Sequence, residues 1–420
     1  MKRPASSSIL RRLRGAGAAR GRGGLLDLRE SAADREFRLE LRAWLAESVR
    51  AHGPAPPHED FAAWRHFVTA WQRRLFDAGY AGIHWPKAFG GREASLAQQL
   101  VYHEECARAA APFDGMLFVA LNHGGPTLMV EGTPEQKARH LLPILRGDQV
   151  WCQCFSEPVA GSDLAALRTR AVRDGDHYVV NGHKIWTSFA QSSDYGELLV
   201  RTEPDAPKHE GISWLILPMD LPGIEVRPLR TVLGSSEFNE VFFEDVRVPV
   251  GNRVGAENDG WRVTNVTLRF ERGTAFSAQI YRTGELIDAL VRAARRVTRD
   301  DASAWEDRAL RREVGRLRAE LDSLWAMVKL SIAQASSTGV PGLASSCVKL
   351  VYTDLFQRAA ELAAQVIGRA ALAGAPIPGV SERAFGVSAL ASISMSIAAG
   401  TSQIQRNIIS ERILGLPRGA

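Results

Sequence analysis

At 420 residues, 45% of them hydrophobic and 24% charged, the chain is long enough for two or three packed units and has an ordinary globular composition. It contains no run of 18 uncharged apolar residues, so no membrane span is predicted, and its four cysteines (Cys106, Cys152, Cys154, Cys347) form neither a disulfide framework nor a zinc cluster. The formal charge of +5 resides in the first 24 residues, which hold seven Lys/Arg and no acid; the remainder is slightly acidic, and no nucleic-acid function is expected.

In chain order, residues 1–27 read as a basic, disordered extension or a misplaced start, with a transit peptide or a nucleic-acid arm as the sharper alternatives. Arginine far outnumbers lysine and alanine is abundant, which points to a GC-rich bacterial genome. The cysteine usage fits a reducing, cytoplasmic compartment. Residues 28–148 are predicted as an α-helical domain, because DREFRLELRAWLAESV and FAAWRHFVTAWQRRLFDAGY space their apolar residues by three and four. From 149 to 258 the period becomes two: HYVVNGHKIWTS, YGELLVRTE, GISWLILPMD, GIEVRPL and NEVFFEDVRVP are predicted strands. Asp174-Gly175-Asp176 and Asn181-Gly182 are predicted tight turns. Helical periodicity returns over 259–420. Helices, then strands, then helices define an α+β chain with segregated domains, and no GxGxxG follows a strand.

Three stretches carry chemistry. WCQCFSEPVAGSDLAALRTRA (151–171) leads from a β-like run into a hydroxyl- and glycine-containing loop. NGHKIWTSFA (181–190) sets a tryptophan before two hydroxyl residues. SIAAGTSQIQRNIISERILG (396–415) interrupts a helical pattern at Gly400-Thr401-Ser402-Gln403. An indole, several hydroxyls and exposed backbone amides suit a planar heteroaromatic cofactor needing stacking and hydrogen bonds at its rim. The break at Gly400 exposes backbone donors but offers no adjacent acid.

In this order and spacing, together with WPKAFGG and FFEDVRVPVGNRVGAENDGW, these stretches resemble the acyl-CoA dehydrogenase family over residues 30–418. The resemblance implies an N-terminal helical domain, a central β-barrel-like domain, a C-terminal four-helix bundle, and a dimer or tetramer. It implies FAD as cofactor, an acyl-CoA substrate dehydrogenated to a trans-2-enoyl-CoA, and an electron-transfer flavoprotein as electron acceptor. By the same resemblance FAD meets Gln153, Phe155, Ser156, Gly161, Ser162, Trp186, Thr187, Ser188, Gln365, Thr401, Ser402 and Gln403. Ser156 and Ser188 stand where the family often has threonine. Ser162, Arg272 and Gly400 are assigned to the substrate, and the Ala399 N–H to the thioester carbonyl, whose polarisation acidifies the adjacent Cα–H.

Many relatives carry the catalytic glutamate directly before the Gly-Thr pair, where this chain has Ala399. Others hold it in an early C-domain motif, here RFERG, so the base is assigned to Glu271. Asn258-Asp259-Gly260 is the predicted helix start. Thr264, Thr267, Leu268, Thr274 and Ala275 would share the face of Glu271, and none could pair with it as a surface salt bridge. Two departures concern the adenosine half of FAD. Residues 294–313 lack the family's Phe-Gly pair, and Arg369-Ala370-Ala371 replaces a glycine-rich turn after Gln365. They raise the alternative of a catalytically silent or FAD-sharing subunit of a heteromer; an oxidase-type relative is a third reading.

Overall fold

The computed structural model describes residues 30–57, 59–112, 115–270, 277–299, 301–338, 344–368 and 386–417. One compact unit covers Leu39–Arg272; the chain from Gly273 onward belongs, with the chain up to Arg38, to a second.

Helix α1 (Ala32–His52) buries Phe37, Leu41 and Leu45 at four-residue spacing. Helix α2 (Phe61–Asp77) starts where the Asp60 carboxylate accepts the Ala63 N–H, and it buries Val68, Trp71 and Leu75. Capping boxes begin both α3 (Leu96–Arg108), with Ser95 and Gln98, and α5 (Pro134–Arg146), with Thr133 and Gln136. Between them lie a π-turn at Ala120–Gly124 and helix α4 (Gly125–Glu131). The WPKAFGG stretch has a packing explanation. Trp85 is wholly buried and its Nε1 donates to the Leu121 carbonyl at 2.8 Å. A Cβ on Gly91 would lie 2.3 Å from the Trp85 carbonyl oxygen, so only glycine lets the chain close over the indole.

The chain then forms an eight-stranded sheet: β1 (Trp151–Cys154), β2 (Arg170–Asp174), β3 (His177–Ser188), β4 (Tyr195–Arg201), β5 (Ile212–Pro218), β6 (Ile224–Leu229), β7 (Phe238–Pro249) and β8 (Arg253–Val254). The order is β6-β7-β3-β2-β4-β5-β8, with β1 parallel to β4. Val180, Leu198, Val200, Leu215, Leu217, Val241 and Val246 fill the sheet's core. Arg65 grips Asp194 through two 2.8 Å hydrogen bonds and Gln136 donates to the Gly251 and Arg253 carbonyls, tying α2 and α5 to the sheet. Asp174–His177 is the expected hairpin, with Gly175 at φ +61°. Asn181-Gly182 is not a turn. It lies inside β3, where the register against β7 shifts, and a Gly182 Cβ would stand 2.7 Å from the Thr169 backbone. Helix α6 (Gly260–Phe270) begins at the predicted position and buries Thr264 and Thr267, the latter 2.8 Å from the Thr127 hydroxyl.

In the second unit, α7 (Ser277–Ala294), α8 (Arg308–Thr338), α9 (Ala344–Ile367), α10 (Gly386–Met395) and α11 (Ser402–Ile408) form a helical bundle. Helix α9 packs against α7, α8, α10 and α11. Leu286 and Leu290, Leu317, Leu321 and Leu324, and Leu355, Ala359 and Ala363 supply its core. Gly284 lets α7 approach α8, since a Cβ there would meet Leu321 at 3.2 Å. Among the described residues no helix is long and apolar enough to cross a membrane.

Candidate active site

In the first unit the structure joins the two sheet stretches singled out from the sequence. After β1, Phe155 is buried and Ser156 half-buried; the Ser156 carbonyl accepts the Ile185 N–H at 2.9 Å. The link is anchored from beneath. Lys184, wholly buried, donates to the Phe155 carbonyl at 2.9 Å and to Glu157 at 2.8 Å, and Glu157 also accepts the N–H groups of Arg168 and Thr169. Burial alone would push the Glu157 carboxyl up, but Lys184 and these donors outweigh it and hold it below the usual range. Burial lowers the Lys184 ammonium, against the attraction of Glu157.

Beyond Glu157 the chain makes a tight turn to Ala160, then exposes Gly161 and Ser162. Neither of their N–H groups donates to a carbonyl among the described residues, and a Cβ on Gly161 would meet only open space. That combination leaves room for a ligand to approach the backbone.

On β3, a second register shift falls between Lys184 and Thr187. Trp186 occupies this bulge at φ +60°, and its indole is 59% exposed, edge-on to Phe238. A left-handed tryptophan costs roughly 1–2 kcal/mol, and exposing so large a ring adds to that. Strain of this kind persists where something else uses the geometry. Thr187 is wholly buried, and its hydroxyl has no hydrogen-bond partner among the described residues. Ser188 ends the strand opposite Phe238.

Gln153, on β1, is part of a network that sequence reasoning missed. Its amide donates to Glu197 at 2.7 Å and lies 3.0 Å from Nδ1 of His123, which is 3.3 Å from the same carboxylate oxygen. His123 and Glu197 are buried polar groups facing one half-buried amide. Register places Gln153 opposite Glu197 across β1 and β4, but His123 is 74 residues from Glu197 and no spacing could have signalled it.

In the second unit, Ala399 (φ +53°) and Gly400 (φ +84°) are consecutive left-handed residues between α10 and α11. Lys349, buried on α9, donates to the Ala398 carbonyl at 2.7 Å and to the Gly400 carbonyl. Gln405 donates to the Ala399 carbonyl at 3.1 Å. Three successive carbonyls are thus engaged by side chains, while the N–H groups of Ala399 and Gly400 donate to no carbonyl among the described residues. The turn presents donors, as a developing oxyanion requires. Thr401 caps α11 by accepting the Ile404 N–H, Ser402 donates to the Ser396 carbonyl, and Gln403 is exposed. Gln365 lies on an exposed face near the end of α9. Glu271, Arg272, Arg369, Ala370 and Ala371 lie outside the described residues.

A fold of helices, a central sheet and a helical bundle, with these motifs in place, defines a class. The chain belongs to the acyl-CoA dehydrogenase family, whose members are FAD-dependent oxidoreductases. Residues 31–148 match its N-terminal domain, 152–246 its middle domain and 258–414 its C-terminal domain. Among individual proteins it is similar to the acyl-CoA dehydrogenase IpdE1 of Mycobacterium tuberculosis, 39% identical over 395 residues, or 92% of this chain and 98% of that protein. Among solved structures it is similar to the ChsE4-ChsE5 complex of the same organism (33% identity, TM-score 0.79, 94% of this chain and 100% of that one). It is also similar to the Tcur3481-Tcur3483 steroid ACAD (33% identity, TM-score 0.78, the same coverage).

Proposed function

We propose that this chain dehydrogenates the Cα–Cβ bond of a bulky, steroid-type acyl-CoA thioester, giving a trans-2-enoyl-CoA, with FAD as cofactor and an electron-transfer flavoprotein as acceptor. The observation that carries the reading is the exposed, left-handed Trp186 on its bulge, joined through Ile185 to the Ser156 loop. The residues present fit a flavin. An open backbone at Gly161, an unpartnered buried Thr187 hydroxyl and an exposed indole supply room, a polar contact and an aromatic wall. Gln153, Phe155, Ser156, Gly161, Ser162, Trp186, Thr187 and Ser188 would hold it, with Gln365, Thr401, Ser402 and Gln403 contributed from the bundle. When bound, FAD supplies the two-electron acceptor for the β-hydride.

The chain's own residues do the rest. The Ala399 N–H donates to the thioester carbonyl and makes the α-proton more acidic; Gly400, Ser162 and Arg272 are the residues assigned to the substrate. Glu271 takes the α-proton as general base. The steroid-type substrate is supported by the similarity to the Tcur3481-Tcur3483 steroid ACAD, and the space left by Ala399 is compatible with it.

The test is anaerobic stopped-flow flavin bleaching with a panel of acyl-CoAs. Wild type should bleach with bulky thioesters, and Glu271→Gln should slow that at least about a hundredfold while retaining its flavin. A Glu271→Gln variant that bleaches at the wild-type rate would remove Glu271 from the mechanism. A second reading, an FAD-sharing subunit of a heteromer, is favoured by the missing Phe-Gly pair and by the similarity to one chain of a two-protein complex. It is wrong if the chain alone forms a homo-oligomer with one FAD per subunit.

A further inference from the structure

Two non-glycine residues close together at the end of β3 take the left-handed conformation, Trp186 at φ +60° and Phe189 at φ +56°. An L side chain there crowds its own backbone, so each needs something outside itself to hold it. Upstream of the pair, Ile185 donates to the Ser156 carbonyl and Lys184 is bonded to Phe155 and Glu157. Downstream, the Phe189 ring is buried with Val68, Met116, Leu117 and Val150. Packing therefore fixes Phe189. The Trp186 indole is 59% exposed and meets Phe238 edge-on at 6.0 Å, so its conformation has to be held through the backbone.

Asn239 is placed to do that. It stands opposite Thr187 in the β3–β7 register and is wholly buried, on the same face of β7 as the core residues Val241 and Phe243. Its Nδ2 donates to the Thr187 carbonyl at 3.0 Å and to Oε1 of Gln191, and lies 3.3 Å from the Glu237 carbonyl. The Glu237 carbonyl also accepts the Phe189 N–H at 2.7 Å, and the Gln191 amide donates in turn to the Ser236 carbonyl at 2.9 Å. Backbone carbonyls only accept, so both amides are locked in orientation. Gln191 must turn its oxygen to Asn239, and Asn239 its nitrogen to Thr187. One buried side chain thus ties the residue after Trp186 to the turn after Phe189 and to the start of β7. An apolar residue of the same size would withdraw the donor from all three acceptors.

Resting on the reading above that Trp186 borders FAD, we infer that Asn239 is a positioning residue for the flavin. Through the Thr187 carbonyl it holds the Trp186 bulge in its left-handed form, and so sets the attitude of the indole towards the flavin ring.

The first readout needs no flavin. In protein labelled with fluorotryptophan, the Trp186 fluorine resonance is identified by its loss in Trp186→Gly. It should be single in wild type and should move or split in Asn239→Leu, with the other indole resonances in place. In the FAD-loaded protein the same substitution should change the visible circular dichroism of the flavin and raise the Kd for FAD about tenfold. In a Trp186→Gly background it should change that Kd by less than about twofold, because the residue it acts through is gone and glycine takes a positive φ freely. Gln191→Met removes only the half-buried end of the relay; it should move the Trp186 resonance the same way and remains informative if the leucine variant fails to fold. An unmoved Trp186 resonance in the folded variants would overturn the assignment, as would one that moves while the flavin dichroism and Kd keep their wild-type values. A Kd loss undiminished in the Trp186→Gly background would overturn it too, since that is general loosening of the fold. Flavin bleaching by acyl-CoA thioesters is read separately. A wild type that shows these shifts without bleaching sinks the dehydrogenase reading and leaves Asn239 in its role.

Discussion

Replacing Lys184 by methionine tests the anchoring of the Ser156 loop. The ammonium is wholly buried and makes two hydrogen bonds, to the Phe155 carbonyl at 2.9 Å and Glu157 at 2.8 Å. Breaking a buried ion pair by removing one partner costs about 3–5 kcal/mol. Glu157 would retain the Arg168 and Thr169 N–H groups, at 2.7 and 2.8 Å, so the loss should fall near 3 kcal/mol. At about 2–4 °C per kcal/mol that is a fall in Tm of roughly 6–12 °C, measurable alongside equilibrium urea unfolding. The Glu157→Gln/Lys184→Met double variant should recover more than about 1 kcal/mol, because no unpaired charge remains buried. FAD affinity should fall roughly tenfold in Lys184→Met, since the pair fixes Phe155 and the strand leading to Trp186 together. A cost under about 1 kcal/mol, or a double variant as unstable as the summed singles, would refute the argument.

Acid titration should report the same pair. The folded Glu157 value lies below the unfolded one of about 4.3, so its contribution is intact above that pH and is lost as pH falls through the folded value. Glu157→Gln should flatten the wild-type loss of stability below about pH 4 in urea midpoints measured across pH. Gly91→Ala should destabilise by about 3 kcal/mol, because its Cβ would sit 2.3 Å from the Trp85 backbone; an unchanged thermal midpoint would contradict that packing. Lys349→Met should slow the acyl-CoA-dependent bleaching rate about tenfold or more, through loss of fixed carbonyl positions around Ala399, with FAD content retained. An unaltered rate constant would detach that clamp from catalysis.

What could be read from the chain follows from the range of the forces involved. Strand alternation placed β3 through β7 because side-chain period is a local property. Asn181-Gly182 misled for the same reason. The dipeptide has turn chemistry, but it lies inside β3 at the register shift against β7, with the Thr169 backbone close against Gly182. Trp186 was legible as an aromatic beside hydroxyls, but its left-handed backbone was not, since that comes from the β3–β7 register. The clamps were invisible throughout. Lys184 finds Glu157 at a separation of 27 residues and Lys349 finds the Ala398 carbonyl at 49. Neither lysine carries any local mark that separates it from a solvated one.

Helix α9 carries Lys349 near its start and Gln365 near its end, sixteen residues apart. At about 1.5 Å per residue the two stand some 24 Å from each other on one rod. A helix is stiff along its axis, so a sliding displacement of that rod moves both ends equally. The carbonyls of Ala398 and Gly400 are bonded to one end and would follow it. The spacing of the Ala398–Gly400 turn from whatever meets Gln365 is therefore set by the length of a single helix, and inserting or deleting a turn of α9 would change it by about 5.4 Å.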